Sequence, residues 1–305
     1  MQIFEPKSIG EAFAERMSRH RYPYDDPVLT TSFISIDRII GGFSNGKVTI
    51  ITADKTTNTD ALMTSFALRM AKATNRHIAL FTTHIHQSQK EKFLRTAINN
   101  AADNSINWSD WREGGTKKNA QKMELLGAQL QKIPLLICDV INNEFCYLKY
   151  MSWKLVRDKG TICIFVDLLQ ALKLDEMVSV HSNEHRLQLL CDAFIRLAEE
   201  LNIPIVLFAH NETSFQFKNY AHLLFDYKVF NGATMSSYLN TALCNNGNIL
   251  PAKLSILFDT YGRTGEIDLM YKVNTEEVLP FIKHSDHIED DSCKDQSTPS
   301  TDLPF

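Results

Sequence analysis

The 305-residue chain contains no uninterrupted apolar run of about 18 residues, so nothing in it reads as a membrane-spanning helix. Met1–Gly10 lacks an apolar signal core, and the expectation is a cytoplasmic protein with no membrane partner. There is no C-x-x-C pair: Cys138, Cys146, Cys163, Cys191, Cys244 and Cys293 stand apart. Scattered thiols, several inside apolar runs, read as buried free cysteines in a reducing compartment. A surplus of basic charge is also missing. Net charge is -4, which excludes a global field for nucleic acid and leaves room only for a local basic groove. Internal repeats are absent. At 44% hydrophobic and 22% charged residues, the chain fits a globular domain able to bury a sizeable core.

The most informative absence lies in residues 50–62, Ile-Ile-Thr-Ala-Asp-Lys-Thr-Thr-Asn-Thr-Asp-Ala-Leu. The run reads as a strand, a phosphate loop and a helix start. A working loop follows Gly/Ala-x-x-x-x-Gly-Lys-Ser/Thr, in which backbone amides and the lysine hold phosphates and the hydroxyl holds magnesium. Ala53 opens that pattern, but Asn58, Thr59 and Asp60 stand where Gly, Lys and Ser/Thr belong. Lys55 is either a substitute phosphate contact or a solvated loop lysine.

What is present is an alternation of strands and helices. Residues 1–26 are polar, with a short helical pattern at Ile9, Ala12, Phe13 and Met17, and read as a linker helix. A helix over Ser35–Ile40 is ended by Gly41-Gly42. Strands are predicted at 47–53, 77–83, 135–140, 161–167 and 203–209, and helices at 60–74, 87–101 and 185–201. Asn104–Lys118, which holds Trp108 and Trp111, reads as a loop. Leu254–Phe258 and Ile267–Val273 form a closing antiparallel pair around Gly262–Gly265. This order implies βαβ units and a mostly parallel sheet flanked by helices, in a domain spanning 27–283. Residues 284–305 are acidic, rich in Ser, Thr and Pro, and expected to be disordered.

Five stretches carry a resemblance to the ATPase domain of DnaB-type replicative helicases, the superfamily-four group with a RecA-like core. They are Thr30–Gly46 with its aspartate and Gly-Gly, the loop at 53–60, Val166-Asp-Leu-Leu-Gln170, Leu197–Ala209, and Tyr261-Gly-Arg-Thr-Gly265. The match runs from about residue 28 to about residue 275. The resemblance implies a RecA-like fold, ATP with Mg2+ where the site still functions, single-stranded DNA and a homo-oligomer.

Carried over position by position, the catalytic set fails repeatedly. Asp167 matches the Walker B carboxylate, either as a magnesium ligand or as a remnant that caps the next helix. His84 falls at or next to the catalytic glutamate, His210 at the glutamine sensor, and Phe258 and Thr260 at the Lys-x-Arg finger, with Arg263 nearby. A lost finger alone costs about 10³–10⁵ in rate. His84, His86 and His210 with Asp167 suggest a metal cluster, but two-residue spacing is weak evidence and no metal site is assigned. The expectation is a pseudo-ATPase. Its rivals are an active helicase using Lys55 or Arg263, and a pure interaction protein.

Two segments bear on partners. The loops at 171–185 and 213–231 match the family's DNA-facing positions, and the second mixes aromatics and cations, with Phe217, Lys218, Tyr227 and Lys228 as candidate nucleic-acid contacts. Asp302, Leu303, Pro304 and Phe305 resemble the C-terminal tip of bacterial single-stranded-DNA-binding proteins, which implies partners that read such tails.

Overall fold

The computed structural model describes residues 8–10, 28–83, 87–102, 124–125, 127–174, 182–211, 215–230 and 249–281. Most of the expected linker helix, His84 and His86, the 104–118 loop and the 284–305 tail lie outside the described residues.

Two short strands, β1 (Val28–Leu29) and β2 (Phe43–Ser44), pair antiparallel around helix α1 (Ile34–Ile40). Then come β3 (Val48–Ala53), α2 (Thr59–Thr74), β4 (Ile78–Thr82), α3 (Gln87–Ala101), β5 (Leu135–Asp139), α4 (Phe145–Lys159), β6 (Cys163–Val166), α5 (Asn183–Leu201) and β7 (Ile205–His210). Strands β8 (Leu223–Val229), β9 (Ile249–Asp259), β10 (Glu266–Lys272) and β11 (Glu277–Pro280) complete a nine-stranded sheet of order β11-β10-β9-β8-β3-β7-β6-β4-β5. The six strands from β8 to β5 are parallel, while β9, β10 and β11 run antiparallel to their neighbours.

The central strands are apolar at nearly every position because both sheet faces are covered. Side chains alternate between faces. Val206 and Phe208 of β7 join Phe33, Phe43 and Phe66 on the side of α1 and α2. Ile205, Leu207 and Ala209 face the α4–α5 layer with Leu148, Leu190 and Phe194. Rings at Phe33–Phe66 (4.8 Å) and Phe43–Phe66 (5.7 Å) lock the leading segment onto α2. Gly42 is required there: its φ is 133°, and a Cβ would lie 2.5 Å from the Leu29 carbonyl oxygen.

The predicted parallel sheet and closing hairpin are present, with Glu266 paired to Ser255 across the Gly262–Gly265 turn. Five elements went unassigned from sequence: the short β1 and β2, and α4, β8 and β11. Strand β8 lies inside the segment expected to be a DNA-facing loop. Its run Leu223–Tyr227 is buried, because β8 is an interior strand between β3 and β9. The four described cysteines are free. Cys163 and Cys191 are buried as expected, but Cys146 is exposed on α4.

Candidate functional site

In parallel α/β sheets ligands sit beyond the carboxyl ends of the strands, and here those ends frame a cleft of about 490 Å³. Residues 55–60, Thr83, Asp167 and His210 border it, so tertiary structure brings together most of the residues predicted for nucleotide binding and catalysis.

The loop turns tightly, with the Thr57 amide donating to the Asp54 carbonyl at 2.8 Å. It delivers the chain into α2, whose N-cap Asn58 makes no side-chain cap. Instead Asn58 Nδ2 reaches Tyr271 Oη at 3.5 Å. A helix N-terminus favours an anion. Asp60, in the first turn of α2, supplies one covalently. Thr59, at the lysine position, brings no charge. Lys55 is exposed on the rim. Lys92 of α3, also on the rim, is paired with Glu276 at 3.1 Å.

Asp167 is buried, and its carboxylate accepts four hydrogen bonds from the end of β4. Thr82 Oγ1 donates at 3.1 Å and Thr83 Oγ1 at 2.8 Å. The Thr83 amide donates to both oxygens, at 3.0 and 2.9 Å. The carboxylate therefore clasps two strand ends, a role that neither sequence reading of Asp167 anticipated. His210 ends β7, and the Gln170 side chain brackets its backbone: Nε2 donates to His210 O at 2.8 Å and Oε1 accepts from His210 N at 3.1 Å. The Gln170 carbonyl accepts from Arg186 Nη1 of α5 at 3.0 Å. Gln170 and Arg186 had no sequence signal for this role, because it depends on contacts across 40 and 16 positions. Among the described residues, no group of three His, Cys, Asp or Glu is placed to hold a metal.

The nucleic-acid candidates divide. Tyr227 is fully buried on β8, with its hydroxyl pushed up by burial, and Phe217 is buried against Phe215 at a ring distance of 4.8 Å. Neither ring is open to a base, which corrects the expectation for both. Lys218 is exposed. Lys228 pairs with Asp226 at 2.9 Å, and that hydrogen bond raises its pKa. Asp226 and Asp54 both accept from Asn211 Nδ2 at 3.2 Å, so a local polar cluster joins the ends of β3, β7 and β8.

The finger position is equally settled within the chain. Thr260 Oγ1 donates to the His222 carbonyl at 3.0 Å. Arg263 forks onto Asp259, whose side chain is wholly buried, and donates to the Ile40 carbonyl at the end of α1. In this conformation Arg263 ties the hairpin to the leading helix.

A model of the DnaB-like helicase C-terminal domain matches residues 28–216. The chain belongs to this family. Among its relatives, the replicative DNA helicase DnaB of Geobacillus stearothermophilus is 24% identical over 182 residues, 58% of this chain and 38% of that protein. A probable plasmid replicative DNA helicase of Chlamydia psittaci is 24% identical over 212 residues, 67% of this chain and 45% of that protein. The chain thus spans less than half the length of these curated relatives. Two solved structures share the fold at 15% identity. A DnaB-like replicative helicase studied for its interactions with primase superposes with a TM-score of 0.70, covering 91% of this chain and 68% of that one. A second structure, an ATPase domain, gives 0.67, covering 91% of this chain and 100% of that one. These likenesses confirm the RecA-like reading of the sheet.

Proposed function

We propose that this DnaB-like domain is a pseudo-ATPase that serves DNA replication, repair or a mobile element as a DNA-binding or adaptor module. One observation carries the reading: Thr59 and Asp60 open α2 at the point where a triphosphate would rest. A carboxylate about 4 Å from a phosphate oxygen repels it by ~4 kcal/mol at an effective dielectric near 20. Each 1.4 kcal/mol is a factor of about ten in affinity, and the lysine that would offset the repulsion is absent. The Asp167 clasp supports the same reading, since four hydrogen bonds already occupy the carboxylate that would face magnesium.

Titration calorimetry with ATP and Mg2+, with and without single-stranded DNA, tests this. No saturable heat is expected in either case. A micromolar dissociation constant, or DNA-stimulated turnover abolished by Asp167→Ala, overturns it. The active-helicase reading rests on Lys55, which borders the cleft and is exposed. Turnover that Lys55→Ala removes would establish that alternative.

Of the DNA candidates, Lys218 and Lys228 are the residues we retain, as phosphate contacts without base stacking. Homo-oligomer formation, a domain spanning 27–283, a cytoplasmic location and recruitment of tail-reading proteins through Asp302–Phe305 belong to the same proposal and rest on sequence. No helix among the described residues is long and apolar enough to cross a membrane.

A further inference from the structure

Helix α4 buries Phe145, Leu148, Ser152 and Leu155 against the sheet, yet its outer face is not an ordinary polar one. Tyr150 is 62% exposed and Trp153 is 45% exposed. With Cys146, Lys149, Lys154 and Arg157 they line a shallow groove of about 530 Å³. The spacing places all six on one helical stripe. Tyr150 and Trp153 give it aromatic surface, and Lys149, Lys154 and Arg157 bring three cations to it. Lys149 pairs with Glu200 at 3.4 Å and Arg157 with Asp158 at 2.7 Å. Lys154 has no carboxylate within ion-pair distance among the described residues. Exposed aromatics of this size are enriched where proteins meet partners, and surface ion pairs are weak enough to exchange.

The same chain carries the complementary chemistry. Residues 284–305 hold Asp286, Glu289, Asp290, Asp291, Asp295 and Asp302 against a single Lys294. They also hold Leu303, Pro304 and Phe305 directly after Asp302. An apolar floor with a cationic rim accepts an aromatic-aliphatic segment flanked by acids. Reach is sufficient. Strand β11 lies at one edge of the sheet and β5, which leads into α4, at the other. Eight inter-strand steps of ~4.8 Å span ~40 Å. The 24 residues from Ile282 to Phe305 extend to ~80 Å.

We propose that the acidic 284–305 segment docks in cis on the outer face of α4, with Leu303 and Phe305 against Tyr150 and Trp153 and Asp302 on the Lys154–Arg157 rim. Docked, the segment is hidden from any protein that reads it, so recruitment by the tail competes with a site on its own domain.

The full chain, carrying benzoylphenylalanine in place of Phe305, is irradiated at high dilution and mapped by mass spectrometry. Adducts within one chain on residues 146–157 are expected. Lys154→Glu with Arg157→Glu, both on the surface, should lower their yield at least fivefold, and adding Asp302→Lys should recover it. Adducts elsewhere on the domain, or adducts only between chains, overturn the proposal. A thymidine oligonucleotide that cross-links to the Trp153 peptide, while tail adducts ignore the charge reversal, overturns it in favour of a nucleic-acid surface.

Discussion

Two corners of the molecule carry family signatures, and they have fared differently. At the leading corner Asp37, Gly41 and Arg263 keep partners inside the chain, and Gly42 packs where no Cβ fits. Asp37 accepts from the Thr31 amide and hydroxyl at 2.8 Å and from the Ser32 amide at 3.0 Å. Gly41 caps α1 in the left-handed conformation. At the cleft, we propose, Asn58, Thr59 and Asp60 stand where residues that meet phosphate and magnesium would be. What survives there, Asp167, has found partners in the chain as well. Losing a residue that holds the fold together exposes a buried charge or a clash. Residues that hold a ligand matter to the fold only while the ligand is bound.

That contrast can be broken, most forcefully at Arg263. Arg263→Ala leaves the buried Asp259 carboxylate without its cation, keeping the Tyr261 amide, and should lower unfolding free energy by about 3–5 kcal/mol. Urea denaturation reads this directly, and a change within error would show that the corner is not structural.

Next in size is Asp167→Ala, which strands the donors of Thr82 and Thr83 and should cost about 2–3 kcal/mol. Its effect on nucleotide binding should be nil. A loss of ATP affinity with no loss of stability would reverse the roles assigned to the two corners.

Thr59→Lys combined with Asp60→Thr sharpens the comparison in the other direction. Restoring the cation and removing the carboxylate should raise ATP affinity at least tenfold, about 1.4 kcal/mol, as read by calorimetry. No gain would place the defect elsewhere in the loop.

The smallest effect is a pH slope. Burial outweighs three hydrogen bonds and raises the Asp37 carboxyl above the ordinary aspartate value of 3.8. The folded state therefore keeps a proton that the unfolded chain has released. That stability is whole below about 3.8 and is lost as pH rises through the folded value. Thermal melts between about pH 3 and pH 7 should show this slope in the wild type and lose it in Asp37→Asn.

Much of the fold was legible in the chain. The runs at Val48–Ala53 and Ile205–His210 are near-continuously apolar, which marks strands buried on both faces. Helix α4 escaped because Tyr150 and Trp153 on its outer face blur the contrast that reveals an amphipathic helix. Strand β8 escaped because Asp226 and Lys228 interrupt it, and its aromatics resemble a base-stacking loop. The substituted loop was visible residue by residue. The Asp167 clasp was not, since Thr83 and Asp167 are 84 positions apart.

By itself, then, the sequence determined which groups were available: strand-forming runs, a glycine pair where no Cβ fits, and a loop with neither the glycine nor the lysine of a phosphate grip. Only the tertiary structure decided what those groups touch. It turned Tyr227 inward, closed the β4 threonines over Asp167, and left Tyr150 and Trp153 in solvent. The reason is that propensity and charge are local properties, while burial and hydrogen-bond partnership are fixed by strands that meet from distant parts of the chain.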